Sequence, residues 1–221
     1  LDCRRSRFER ADLAALARGR KSDCFGPAYD QGGVNPTLHF TAEPMLMLDR
    51  VVSVDPSGGA WGLGLVVAEK DLAPDHWYFP CHFKDDQVLA GSLMADGCGQ
   101  LMRFYMLYLG LQTITKDARF QPLPRLPQKV RCRGQVIPGH TLLTYRMEVK
   151  EIGTDPRPYA IADVDILLGD KIVVDFKDLG VAMVEQDGGV SEPRKVVSKG
   201  PSAQADAQSR LAMVSYRWEQ H

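Results

Sequence analysis

The chain has 221 residues, of which 44% are hydrophobic and 25% are charged, and its formal net charge is −1. This composition is typical of a globular protein, and the length suits one large or two small domains. A nearly neutral chain lacks the general positive field that attracts nucleic acid or an anionic membrane, so neither is expected as a partner. The apolar runs are far shorter than the ~18 residues of a membrane-spanning helix.

Cysteine usage points to a reducing compartment. The cysteines are scattered and form no C-x-x-C pair, which argues against a disulfide framework and against a zinc knuckle. The first residues contain no apolar signal segment. We therefore predict reduced thiols and a cytoplasmic location. The five cysteines are Cys3, Cys24, Cys81, Cys98 and Cys132.

The first half of the chain changes from a helical pattern to a strand pattern. Apolar residues at helical spacing predict a short amphipathic helix over residues 8–20, with Gly19 as its stop signal. A loop follows over residues 26–36. Residues 45–55 and 60–69 are typical of two strands joined by a Gly/Pro turn, which predicts a hairpin.

A long helix is predicted over residues 92–111, with Ser92 as its N-cap. The segment is apolar on almost every side, which indicates a helix inside the protein. It contains Gly97 and Gly99, and each glycine should cost about 1 kcal/mol relative to alanine. Small residues at such a cost indicate that another segment packs very close to the helix.

Four more strands are predicted after a Pro-rich stretch at residues 121–127, and Gly169-Asp170 is predicted as a two-residue hairpin turn. Six strands around one buried helix indicate an α+β fold, with a single antiparallel sheet wrapped around a long central helix. We assign residues 1–186 to this domain and residues 187–221, which are rich in Gly, Ser, Pro and Lys, to a linker or C-terminal extension. The four strands are residues 128–137, 141–152, 158–169 and 171–186.

Residues 81–100 combine the side chains that suggest chemistry. His82 lies in an extended segment, the chain turns before Gly91, and Asp96 falls in the second turn of the predicted helix. Gln100 follows four residues later on the same helix face. The helix start offers unpaired N–H groups, and Gly91 has no Cβ, so a ligand carbonyl can approach its backbone closely.

These groups match what β-elimination from a 3-hydroxyacyl thioester requires. A neutral His82 can abstract the C2 proton, and the Gly91 N–H can donate to the thioester oxygen as negative charge develops there. Asp96 can help the C3 hydroxyl leave as water, and apolar surroundings would favour its protonated form. Gln100 can hold Asp96 in position. The reaction requires no metal or redox cofactor.

With these residues the sequence resembles the β-hydroxydecanoyl-ACP dehydratase/isomerase family, especially the dehydratase domains of polyunsaturated fatty acid synthases. The family's block reads CHF, a variable pair, D, P, V, two residues and G, and here it reads CHFKDDQVLAG. Gln87 and Ala90 stand where proline is usual, which puts rate and chain-length preference in doubt. The resemblance runs from residue 8 to residue 186 through ADLAALARGR, PMLMLDRVVSVD, GQVIP and KDLGVAMVEQ.

The resemblance implies a hot-dog fold with His82 as base, Asp96 as its acidic partner, Gly91 polarising the thioester and Gln100 supporting Asp96. It implies that hot-dog units pair, with His from one and Asp from the other, as a homodimer or with a neighbouring domain. The substrate would be carried on the phosphopantetheine of an acyl carrier protein. Asp rather than Glu at position 96 resembles the branch that also isomerises trans-2 to cis-3 enoyl chains. Further substrate contacts are assigned to Phe83, Val88 and Ser92.

A basic strip starts just before the second group of strands and continues along the first of them, and it has two interpretations. It is either a solvated strand face or a docking surface for an acidic acyl carrier protein. Its members are Arg125, Lys129, Arg131 and Arg133.

Other readings of the same residues remain open. A single His beside a Cys is more often structural, and Asp96 could serve as a core hydrogen-bonding group. The cysteines, histidines and acids around His82 match no standard zinc spacing, so no metal site is expected. Two other functions are possible: a hot-dog thioesterase, which usually activates water with a carboxylate, and a non-catalytic domain that binds acyl chains or scaffolds a megasynthase.

Overall fold

The computed structural model describes residues 1–186, so the predicted linker at 187–221 lies outside the described residues. The described part contains four α-helices and seven strands. The helices are α1 (Arg10–Ala17), α2 (Lys21–Phe25), α3 (Tyr78–Cys81) and α4 (Gly91–Tyr108). The strands are β1 (Arg50–Asp55), β2 (Leu65–Asp71), β3 (Ala118–Pro122), β4 (Lys129–Cys132), β5 (Leu142–Gly153), β6 (Tyr159–Leu168) and β7 (Lys171–Glu185).

All seven strands belong to one antiparallel sheet: six follow the order β1-β2-β5-β6-β7-β3, and β4 pairs with β7 outside this order. The long strand β7 pairs with β3 through residues 181–185 and with β4 through residues 174–177. Helix α4 contacts β2, β5, β6 and β7, so it packs across one face of the sheet. This arrangement confirms the predicted α+β fold with a single sheet around a long central helix.

The two central strands show why this face is covered. Side chains alternate between the two faces of a strand, and in β5 and β6 one set is apolar while the other contains the charged residues of these strands. The apolar set is fully buried and forms the floor on which α4 lies. Its members are Leu143, Tyr145, Met147 and Val149 of β5 and Ala160, Ala162, Val164 and Ile166 of β6.

Gly97 is required by the closest contact between α4 and the sheet. A Cβ at this position would lie 2.5 Å from the hydroxyl oxygen of Tyr145, whose ring is fully buried. Burial also raises the pKa of Tyr145 well above its usual value, so the hydroxyl stays protonated. The prediction of close packing is therefore confirmed at Gly97. At Gly99 the nearest atom is the Arg103 guanidinium at 3.6 Å, an ordinary contact.

Four sequence predictions differ from the structure. Strand β3 was not predicted; it ends at Pro122, inside the Pro-rich stretch, and an edge strand tolerates this proline. Residues 45–49 precede β1 without being part of a strand, and of residues 128–137 only 129–132 are strand. The predicted helix over 8–20 ends at Ala17, followed by Gly19 in a left-handed conformation, and a second short helix follows.

Ser92 is not the N-cap of the central helix. The cap is Ala90, whose backbone is extended and whose carbonyl accepts hydrogen bonds from the N–H groups of Leu93 and Met94. The helix therefore begins at Gly91, and no side chain caps its N-terminus. Among the helices of residues 1–186, none has both the length and the apolar content needed to cross a bilayer.

Candidate active site

His82 lies at the end of the one-turn helix α3, as its C-cap, and starts a loop that closes on itself. The N–H of Val88 donates to the His82 carbonyl at 2.8 Å. Inside this loop, Phe83 and Asp86 exchange two backbone hydrogen bonds of 2.9 and 3.3 Å. The expectation that His82 lies in an extended segment is wrong: a helical turn precedes it, and the chain bends at His82 and turns again at residues 84–85. These contacts fix the backbone from which the imidazole projects.

The His82 ring has one nitrogen committed and one available. Its Nδ1 lies 3.1 Å from the carbonyl oxygen of Val88. A carbonyl oxygen can only accept, so Nδ1 carries the hydrogen and the lone pair is on Nε2. The ring is half-buried and stacks on Phe83, with the two ring centroids 4.1 Å apart. This tautomer gives His82 the form that a general base needs.

The start of α4 follows directly from this loop. The N–H of Leu89 donates to the carbonyl of Val136 at 2.8 Å, which ties the loop to the segment after β4. A Cβ at Gly91 would lie 3.5 Å from Cys132 Sγ, so Gly91 faces β4 across an ordinary contact distance. Ser92 is exposed beside it. The helix therefore starts nine residues after His82, and its first N–H groups have no side-chain partner.

Asp96 is held by two donors from its own helix. Its Oδ2 accepts a hydrogen bond from Gln100 Nε2 at 2.7 Å, and its Oδ1 accepts one from Arg103 at 2.8 Å. The predicted contact between Gln100 and Asp96 is therefore present. The Asp96 side chain is 39% exposed in the single chain. The expectation of apolar surroundings for this carboxyl is wrong here, because Arg103 provides a cation beside it.

Gln100 connects the central helix to the segment before β1. Its amide is fully buried, its Nε2 also donates to the Met45 carbonyl at 2.9 Å, and its Oε1 accepts from the Met47 N–H at 2.8 Å. Residues 45–49 therefore direct backbone groups to a side chain of α4 as well as to the sheet. This explains why the segment is not a strand although its apolar pattern resembles one.

Arg103 was missed by sequence reasoning. It lies seven residues after Asp96, which is two helical turns and the same face, and this spacing was the available signal. The surrounding residues, LMRFYM, resemble an apolar packing stripe, which concealed the contact of this arginine with Asp96. Its side chain is only 21% exposed, and its Nε donates to the Gly99 carbonyl at 3.1 Å.

His82 and Asp96 share no hydrogen bond or ion pair with each other within residues 1–186. The loop orients the imidazole, whereas the helix orients the carboxyl. The structure brings together Asp96 with Gln100, and His82 with Phe83 and Val88. Within the same described residues, no group of three or more His, Cys, Asp or Glu side chains is placed to hold a metal ion.

The predicted basic strip is divided between a strand and a loop. Lys129 and Arg131 lie on β4, all of whose residues are exposed, and Arg125 lies in the loop before it with a positive φ. Arg133 follows β4 and forms an ion pair of 2.6 Å with Asp175. The positive charge of Arg133 is therefore neutralised locally, whereas that of Arg131 has no carboxylate partner among the ion pairs of residues 1–186.

The surface around His82 also exposes apolar side chains and a strand edge. Phe83, Val130 and Ile137 are 58%, 45% and 43% exposed. Strand β4 pairs with β7 on one side, and no described strand pairs with its other side. Unpaired strand edges and exposed apolar patches are typical sites of association with another chain or domain.

Comparison with known proteins adds to this geometry. The family model of the FabA-like domain matches residues 40–177. The chain is 41% identical over 255 residues to one of the subunits of the polyunsaturated fatty acid synthase of Thraustochytrium sp. (strain ATCC 26185 / S-3), covering 90% of this chain but only 17% of that relative's length. A solved structure, the dehydratase heterocomplex ApeI:P from Xenorhabdus doucetiae, matches with a TM-score of 0.51 and 15% identity over 66% of this chain and 88% of that one. At 15% identity this structural match shows the fold alone. The fold of this chain, a sheet wrapped around α4, is the hot-dog fold.

Proposed function

Because the chain belongs to the FabA-like domain family, we propose that it removes water from 3-hydroxyacyl thioesters to give trans-2-enoyl thioesters. The observation that carries the proposal is the His82 ring. Its Nδ1 is committed to the Val88 carbonyl, so Nε2 is available as a base. This ring lies in the CHF block that the sequence shares with the family.

The proposed roles follow from the chemistry of the elimination. His82 Nε2 takes the C2 proton, and the Gly91 N–H at the uncapped start of α4 donates to the thioester oxygen. Asp96, supported by Gln100, meets the C3 hydroxyl. Phe83, Val88 and Ser92 surround the acyl chain near the thioester. We expect no metal and no redox cofactor, because the elimination only transfers protons between the substrate and His82 and moves electron pairs within the substrate, with no net oxidation or reduction.

The complete site is proposed to form between two hot-dog units, with His82 from one unit and Asp96 from the other. Within residues 1–186 these side chains have separate hydrogen-bond partners and no hydrogen bond or ion pair joins them. The open edge of β4 and the exposed Phe83, Val130 and Ile137 supply a surface for pairing on the His82 side. The second unit is either another copy of this chain or a neighbouring domain.

The acyl chain is proposed to arrive on the phosphopantetheine of an acyl carrier protein, as part of fatty acid or polyunsaturated fatty acid synthesis. The relative from the polyunsaturated fatty acid synthase supports this context. This chain matches 17% of the length of that relative, as one domain of a larger synthase subunit would. Asp at position 96 extends the proposal to trans-2/cis-3 isomerisation. A cytoplasmic location, expected from the scattered cysteines, belongs to the same proposal.

One assay tests the function. The protein is incubated with a 3-hydroxyacyl N-acetylcysteamine thioester, and the product is identified by mass and by the position of its double bond. Loss of one water is the expected result, and a cis-3 product would add the isomerisation. A free acid would instead indicate a thioesterase, and unchanged substrate would indicate a non-catalytic domain. Either of these two results contradicts the proposal.

Carrier docking is tested separately at Arg131. We expect Arg131→Glu to raise KM for a carrier-bound substrate several-fold, since it reverses an exposed charge that an acidic carrier would contact. KM for the small thioester should stay unchanged. Arg18→Glu is the matched control, because Arg18 is an exposed arginine at the end of α1. Equal effects of Arg131→Glu on the two substrates would argue against docking at β4.

A further inference from the structure

We propose that Arg103 is a positioning residue that holds Asp96 as an ionised hydrogen-bond acceptor, so that His82 returns the proton with which the C3 hydroxyl leaves. The inference rests on the proposed dehydratase function. It departs from the sequence-based expectation that apolar surroundings keep Asp96 protonated.

Arg103 is itself held in place at two points. One guanidinium nitrogen lies 2.8 Å from Asp96 Oδ1, and its Nε donates to the Gly99 carbonyl one turn back. A Cβ at position 99 would lie 3.6 Å from the guanidinium, an ordinary van der Waals distance, so Arg103 runs back along its own helix beside Gly99. A guanidinium anchored to its own helix loses little further freedom when it binds a carboxylate.

The amide of Gln100 is also fixed in one orientation. Its Oε1 accepts from the Met47 N–H and its Nε2 donates to the Met45 carbonyl, so a flipped amide would lose both contacts. In the observed orientation Nε2 must be the donor to Asp96 Oδ2. The position of this donor is therefore set by buried backbone groups rather than by solvent.

Asp96 consequently faces a donor on each of its oxygens. Arg103 can only donate, and Gln100 donates through the amide group that its backbone partners have fixed. Hydrogen bonds from a cation to a carboxylate are stronger than those between neutral groups, so both oxygens of Asp96 are held as acceptors in one orientation. Its remaining lone pairs can then accept from the C3 hydroxyl of the substrate.

The proton balance of the reaction closes without a proton from Asp96. His82 Nε2 takes the C2 proton as the C2–H bond breaks, and the electron pair moves towards the thioester oxygen. That electron pair then forms the C2=C3 double bond while the C3–O bond breaks. The departing hydroxyl takes the proton from the His82 imidazolium and leaves as water. His82 is neutral again, and Asp96 keeps its charge throughout.

The test compares kcat and KM of the full chain for a small 3-hydroxyacyl thioester at neutral pH in three arginine variants. We expect Arg103→Met to lower kcat about tenfold or more while KM changes less than twofold, since the lost interaction acts on the reacting hydroxyl. Arg103→Lys, which keeps a cation, should recover a substantial part of kcat. Arg50→Met is the matched control, because it removes an arginine that pairs with Glu69 and Asp71 on the sheet edge away from α4.

A mechanism in which Asp96 donates the proton predicts the opposite change in kcat for the Arg103 variants. If Asp96 had to donate a proton, removing the neighbouring cation would make protonation easier and kcat would match or exceed that of the wild type. That result overturns the inference, as does an Arg103→Lys variant no better than Arg103→Met. Arg103→Gln provides a second uncharged variant if Arg103→Met does not fold, as judged by circular dichroism. If the wild-type protein does not dehydrate the thioester, the proposed function itself is refuted. If the wild type is active and the Arg103 variants have the same kcat, only the inference is refuted.

Discussion

Replacement of His82 by alanine should lower kcat for dehydration about 10³-fold, within the range of about 10²–10⁴ that a positioned general base contributes. The physical reason is that Nε2 is the ring atom left with a lone pair once Nδ1 has donated to the Val88 carbonyl. The measurement is the rate of enoyl thioester formation from a small 3-hydroxyacyl thioester. Binding of substrate should change far less than kcat.

The fold should survive this substitution, since the His82 ring is half-buried and lies on an exposed Phe83. His39→Ala is a suitable control, because this histidine is exposed and belongs to the segment that precedes β1. It should keep wild-type kcat. A His82→Ala protein that folds normally and retains more than a small fraction of kcat would show that the base is another group.

Replacement of Lys70 by methionine should lower the free energy of unfolding by about 3 kcal/mol, because removal of one partner leaves a buried charge poorly compensated. Lys70 Nζ lies 3.3 Å from Asp49 Oδ1, and the two side chains are only 7% and 5% exposed. Asp49 also accepts from the Asp71 N–H at 2.8 Å, and Arg10 approaches it at 3.5 Å. These two contacts keep the expected loss near the lower end of the usual range.

Urea denaturation of a matched pair of variants measures this effect. The double variant Asp49→Asn/Lys70→Met removes both charges and keeps an oxygen that can accept from the Asp71 N–H. It should therefore be more stable than Lys70→Met alone, although it carries one more substitution. A single variant that loses less than about 1 kcal/mol, or a double variant that is no better, would show that the pair is not desolvated in solution.

Local sequence signals predicted the parts of the fold that depend on neighbouring residues. The period-two pattern of β5 and β6 and the Gly169-Asp170 turn are of this kind, since β6 ends at Leu168 and β7 begins at Lys171. The central helix was recognised because nearly every side of it is apolar. Gly97 was read correctly as a point of close approach, although the sequence could not name Tyr145 as its neighbour.

The errors have a common origin in tertiary contacts. Residues 45–49 have strand-like side chains, but Gln100, more than fifty residues later, binds the backbone groups of Met45 and Met47. Strand β3 has a proline and exposed polar residues, and it forms only because β7 is long enough to extend beyond β4. No window of sequence contains either cause.

The candidate site also has parts that local sequence signals predicted and a part that they did not. The motif that includes His82, Asp96 and Gln100 could be read from spacing and from family resemblance, and the Gln100–Asp96 contact is where spacing placed it. For Arg103 the signal was its spacing of two helical turns from Asp96, and the apolar stripe around it outweighed that signal. The surroundings of Asp96 were consequently expected to be apolar, and the structure shows a cation beside it.

The loop that carries His82 makes the orientation of the imidazole a local property. Both contacts that define it, one to the backbone and one to the ring, come from Val88, six residues later. A substitution at Val88 that keeps the backbone in place should therefore leave the ring oriented, because neither contact uses the Val88 side chain.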